Sequence, residues 1–115
     1  MASQRRYKNE IEKNLEKIFA ILPNSMKEIQ VPIYLFANAN LVTKYFNRFQ
    51  DLENINLCGV YGIQGLDSFS QYLKKEENII MFFQNLNIQN LKAIKIGKYQ
   101  HEFNDIQFIC LITLI

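Results

Sequence analysis

Ile106-Gln107-Phe108-Ile109-Cys110-Leu111-Ile112-Thr113-Leu114-Ile115 closes the chain with a dense run of β-branched and aromatic residues and neither Gly nor Pro. At a period of two, Phe108, Cys110, Ile112 and Leu114 share one face, and Ile109, Leu111, Thr113 and Ile115 the other. Both faces are apolar, which predicts a central strand covered on two sides. Just before it, Leu91 to Tyr99 alternates, with Ile94 and Ile96 inward and Lys95 and Tyr99 opposite. That pattern predicts a partner strand nearer the outside, joined through a polar reversal at Gln100 to Asp105.

Upstream, residues 1–6 predict a loose basic end. From Tyr7 to Leu22, the residues Ile11, Leu15, Ile18, Phe19 and Leu22 recur at helical spacing, and Pro23 stops the helix. Ile29 to Ala37 predicts a strand, placed at an edge because Pro32 lacks a ladder donor. Asn40 then suits the N-cap of a helix carrying Leu41, Val42, Tyr45, Phe46 and Phe49. Asn54 to Val60 predicts a second strand, with Gly59, Gly62 and Gly65 punctuating the turn after it. Asp67 and Ser68 can cap a further helix through Phe69, Tyr72, Leu73, Ile80 and Phe83. Within it, Ile79 to Phe83 also fits a buried strand; the helix is preferred because the stripe continues. No internal repeat or interdomain linker is evident at this level.

After the leading helix the order is β-α-β-α-β-β. This predicts an α/β two-layer sandwich in one domain, residues 7–115, with helices on one face of a mixed sheet. The doubly apolar last strand then calls for a cover on the other face, either the helix Tyr7 to Leu22 or another protein.

The chain has 115 residues, 49% hydrophobic and 21% charged, enough for one cored domain. A formal net charge of +2 does not by itself mark a nucleic-acid binder. No apolar run approaches the roughly 18 residues of a membrane span, and no leader pattern opens the chain. Cys58 and Cys110 fall in expected strands, which favours buried thiols and an intracellular setting. The glycines at 59, 62 and 65 lack the spacing of a phosphate-binding loop. Cys58, His101 and Cys110 do not form a metal or nucleophile signature, so no enzyme, cofactor, metal or small-molecule substrate is expected.

Three stretches carry a family resemblance. They are Val31 to Phe46, Ile55 to Ile63, and Leu86 to Lys98 followed by Ile106 to Ile115. Together they resemble the Alba superfamily of small nucleic-acid-binding proteins, which includes subunits of ribonuclease P and MRP. The resemblance implies a non-catalytic, dimerising accessory subunit of a nucleoprotein or nucleic-acid-modifying complex, nuclear if the source is eukaryotic. It implies RNA or DNA contact through the loop before the first family helix and through the closing arm. On this chain those positions are Asn38, with Lys44 and Arg48 a turn or two on, and Lys95, Lys98, Tyr99 and His101. The lysines usual in the loop are replaced by Asn38-Ala39-Asn40, and Glu102 and Asp105 dilute the arm. These departures weaken the expected phosphate contact. The alternative is a protein-interaction adaptor that does not touch nucleic acid and docks through the helix Tyr7 to Leu22.

Overall fold

The computed structural model describes residues 2–60 and 62–113; the side chains of residues 2–9, 11 and 12 lie outside that description. Leu114 and Ile115, expected in the closing strand, also fall outside it, as do the side chains of Ile11 and of the basic Arg5, Arg6 and Lys8.

The described residues form an open four-stranded mixed sheet and five α-helices. The order is α1 (Ala2–Ile21), β1 (Glu28–Pro32), a 3-10 segment (Ile33–Asn38), α2 (Ala39–Phe46), β2 (Asn54–Cys58), α3 (Leu66–Leu73), α4 (Glu77–Asn85), β3 (Ala93–Ile96), β4 (Tyr99–Glu102) and α5 (Phe103–Thr113). In space the strands run β1-β2-β3-β4; the first three are parallel and β4 is antiparallel to β3. β1 is an edge strand, as Pro32 requires.

Each parallel strand sits in the same sequence frame. Ile29-x-Val31, Ile55-x-Leu57 and Ile94-x-Ile96 align through the ladder, each preceded by an apolar residue three positions earlier (Met26, Leu52 and Leu91). Ile29 pairs with Ile55 and Ile55 with Ile94; Val31 pairs with Leu57 and Leu57 with Ile96. The approach to each strand repeats too: the Asn54 N–H donates to the Lys27 carbonyl, and the Ala93 N–H to the Glu53 carbonyl. A repeat that no compositional signal announces is therefore built into the sheet. Its first step, Ile29 to Ile55, holds the 3-10 segment and one helix. The second step, Ile55 to Ile94, is longer because it holds two helices.

The apolar frame positions point to the helix layer. Ile55, Leu57, Ile94 and Ile96 are buried there against an aromatic core. Phe82 is its hub, with ring centroids 4.7 Å from Phe36, and 5.2 Å from both Phe46 and Phe83. Phe19 of α1 stacks on Tyr45 at 4.9 Å. This adds α1 to the helix layer beside α2 rather than over the opposite sheet face.

Several expectations are corrected. The closing run Ile106 to Thr113 is helical, not a central strand. Phe103, Ile106 and Cys110 recur at helical spacing and are buried, while Phe108, Leu111 and Ile112 are exposed. The chain reverses earlier than expected, at Gly97-Lys98: Ile96 pairs with Tyr99, and Gly97 takes φ of 60°. A two-residue hairpin with Gly first is a favoured reversal, and it leaves only the polar Tyr99–Glu102 for the fourth strand. β3 takes the inner position, and the second sheet face needs no apolar cover. The helix α1 begins at Ala2, so positions 2–6 are not a loose end. The first strand stops at Pro32 and continues as the 3-10 segment, which leads straight into α2, with Asn38 rather than Asn40 preceding that helix. The second strand ends at Cys58, because Gly59 with φ of 81° turns the chain. Gly65 precedes α3, without side-chain capping by Asp67 or Ser68. The helix expected through Phe69, Leu73, Ile80 and Phe83 is two helices, α3 and α4, interrupted at residues 74–76; Ile79 to Phe83 is helical, within α4.

Candidate interaction surface

Period two sends the residues between the apolar frame positions to the other sheet face. Gln30, Asn56, Lys95 and Gln100 line up across all four strands, flanked by a second row of Glu28, Asn54, Ala93 and Glu102. Asn56 donates its side-chain amide to Glu28 Oε1 at 2.6 Å. The face offers amide donors and acceptors with one cation and acids on both flanks. It is suited to hydrogen-bonding a polar partner surface, and its mixed charge does not favour a polyanion.

The residues proposed for nucleic-acid contact do not converge. Lys95 stands in the central row of the polar face, whereas Tyr99 and His101 register with Ile96 and Ile94 and so point to the helix side. Lys98 is exposed at the reversal. His101 is half-buried, and its Nε2 has no partner among the described residues. Burial lowers its pKa from the ordinary 6.5, against an opposing pull from Asp105, so near neutral pH it carries no positive charge. Asn38 is half-buried where the 3-10 segment meets α2, beside a small cavity of about 230 Å³ shared with Asn40, Asn78 and Met81. Lys44 is exposed on α2. Arg48 serves the fold instead. Its guanidinium donates to the Phe19 carbonyl, in the last turn of α1, and lies 5.0 Å from the Phe49 ring centroid.

Two residues that sequence reasoning passed over hold adjacent units together. Asn47 donates to the Asn85 carbonyl at 3.0 Å and accepts from the Asn87 N–H at 2.7 Å. Gln50 donates to the Asn87 carbonyl at 2.8 Å and accepts from the Gln89 N–H at 3.2 Å. These amides clamp the loop after α2 to the loop after α4. In a chain rich in Asn throughout, only their place just beyond a helix end could have singled them out.

Cys110 is on the buried face of α5, and burial pushes its thiol up to about 12, which removes it as a nucleophile at neutral pH. Cys58 lies on the polar sheet face and His101 on the other. Among the described residues no cluster of three or more His, Cys, Asp or Glu is placed to hold a metal ion, and no helix is long and apolar enough to cross a membrane. No family model, curated protein or solved structure matches the chain.

Proposed function

We propose that this chain is a non-catalytic protein-interaction module built as a short strand-and-helix solenoid, with the polar sheet face as its binding surface. The observation that carries the reading is the register: three parallel strands turn Ile29 and Val31, Ile55 and Leu57, and Ile94 and Ile96 to the helix layer and present Gln30, Asn56 and Lys95 as one row. Stacked repeats of this kind make a continuous core on one side and an extended recognition surface on the other. The test is site-specific photo-crosslinking in the native cellular setting. A crosslinker at Asn56 or Lys95 is expected to capture a discrete protein partner, and one at Lys74, outside the sheet, is not. Adducts confined to the helix layer refute the assignment.

A second reading keeps the Alba-like accessory subunit in a nucleoprotein complex. It draws on the β1-α2-β2 unit, the β3-β4 hairpin and the exposed Lys95 and Lys98 on that hairpin. Against it stand the helical closing segment and the division of the basic arm between two faces. Its signature is RNA or DNA binding that falls steeply with salt and is lost in Lys95→Glu with Lys98→Glu. Salt-independent or absent binding removes it.

A further inference from the structure

A cavity of about 360 Å³ lies between the 3-10 segment and the junction of α3 with α4. Its lining combines the aromatic side chains of Tyr34, Phe36 and Tyr72 with Ile33, Ile79 and the carboxylate of Glu76. The rings are held to different degrees. Phe36 is buried, with centroids 4.7 Å from Phe82 and 6.3 Å from Phe83. Tyr72 is half-buried and lies near-parallel to Phe69, with 17° between the planes. Tyr34 is 73% exposed, the most exposed aromatic residue among those described. Two anchored rings and one free ring thus share a single opening.

The charge at this opening has one sign. Glu76 is the only formally charged residue of the lining, and among the described residues it forms no ion pair. Lys74 and Lys75 are exposed on the same connection but do not line the cavity. Burial raises the Tyr72 phenol above its ordinary pKa of 10.0, and the Glu76 carboxylate raises it further. The acid therefore stands close to that ring, and the phenol stays neutral. The helix α4 begins here, and Glu76 with Glu77 offsets the partial positive charge of its N-terminus. Aromatic faces attract a cation through their quadrupole, most strongly where the cation has little water to lose. A primary ammonium is strongly hydrated. A trimethylammonium group has no donor to satisfy and presents methyl groups to the rings and to Ile33 and Ile79. One carboxylate and no cation in the lining disfavour a ligand that also carries a phosphate. The volume sits near the low end of the roughly 300–1,000 Å³ of small-molecule sites, which suits a whole small ligand.

We infer that this cavity binds a small quaternary ammonium compound of the choline class, its cationic head set among Tyr34, Phe36 and Tyr72 and balanced by Glu76. The inference goes beyond the sheet-face reading and does not depend on it, because the cavity lies in the helix layer.

The test titrates choline into the isotope-labelled full chain, beside its neutral isostere, in which a quaternary carbon replaces the charged nitrogen. The expected result is shifts at Tyr34, Tyr72 and Ile79, with choline bound roughly tenfold more tightly than the isostere. Tyr34→Leu keeps an apolar side chain at an exposed position, so the spectrum should stay dispersed while choline binding weakens roughly tenfold. Tyr72→Phe keeps the ring and should hold affinity within about twofold. Glu76→Gln should weaken binding roughly threefold and flatten its dependence on salt. No shift at Tyr34 or Tyr72 at high millimolar choline overturns the inference, as does an isostere that binds equally well or a Tyr34→Leu variant that binds unchanged. A short peptide bearing trimethyllysine, or phosphocholine, bound more tightly than choline overturns it too, by making a protein or a lipid headgroup the occupant. Crosslinking at Asn56 and Lys95 reads the sheet face alone and is independent of these outcomes.

Discussion

The helices α4 and α5 are both short, apolar and rich in Ile and Phe, but they hold opposite positions in the energetics. α4 buries Ile79, Ile80, Phe82 and Phe83, with Phe82 at 0% exposure, and its aromatic rings tie α2 to the 3-10 segment. α5 buries Phe103, Ile106 and Cys110 and leaves Phe108, Leu111 and Ile112 at 62%, 59% and 50% exposure. Composition alone does not separate them. What separates them is which elements they meet: α4 packs among α2, α3, α5 and the 3-10 segment inside the helix layer, whereas α5 packs on α3, α4, β3 and β4 at its end.

That comparison breaks first at its most buried residue. Phe82→Ala should cost about 3–5 kcal/mol, and Ile106→Ala, the deepest contact of α5, about 2–4 kcal/mol, both read from denaturant midpoints. If the two costs are reversed, α5 and not α4 anchors the core.

Arg48 and Lys44 sharpen the same distinction between held and free groups. Arg48→Ala removes a bond to the last turn of α1 and a ring contact, for about 1–2 kcal/mol, and should loosen α1 in hydrogen exchange. Lys44→Ala should stay within about 0.5 kcal/mol. Equal effects would mean that Arg48 does not secure α1.

The sequence made the first half of the fold legible and the second half less so. Pro32 marked the edge strand, and the spacing of Leu15 and Phe19 gave the packing face of α1. The Ile79 to Phe83 run was read as helical from a stripe through Leu73, Ile80 and Phe83; it is helical, but Leu73 ends α3 and the stripe does not run along one helix. Ile106 to Thr113 was not read so, because an apolar run with large residues on every side satisfies periods of 2 and 3.6 alike. Gly97 was the signal that could have decided it: a glycine followed by one polar residue between Ile96 and Tyr99 permits a two-residue reversal, leaving the later run outside the sheet. The repeat stayed hidden because its shared frame is short and its two steps differ in length. The candidate basic patch failed for a related reason. Moving the turn from Gln100 to Gly97 changed the strand pairing, and with it the faces of Tyr99 and His101 relative to Lys95.

His101 gives a smaller effect, with a definite sign. Its pKa is lowered in the folded state, so below about pH 6.5 the unfolded chain binds the proton more readily. Its contribution is therefore fully present above that pH and is lost as the pH falls towards the lowered folded value. Thermal midpoints should drop between pH 7 and pH 5 by an amount that His101→Phe reduces. A profile unchanged by that substitution would place His101 in water rather than against the sheet.

The smallest expected effect is the most informative about α5. Phe108, Leu111 and Ile112 lie at i, i+3 and i+4 on a helix, so they form one stripe, and that stripe faces solvent. Removing exposed apolar groups takes nothing from the core, so Phe108→Ser and Leu111→Ser should each change stability by no more than about 0.5 kcal/mol. Had the segment been a strand covered on both sides, either substitution would have buried a hydroxyl without a partner and cost several times as much. Two mild substitutions thus separate the helix from the strand, since no arrangement of a doubly covered strand leaves both positions indifferent.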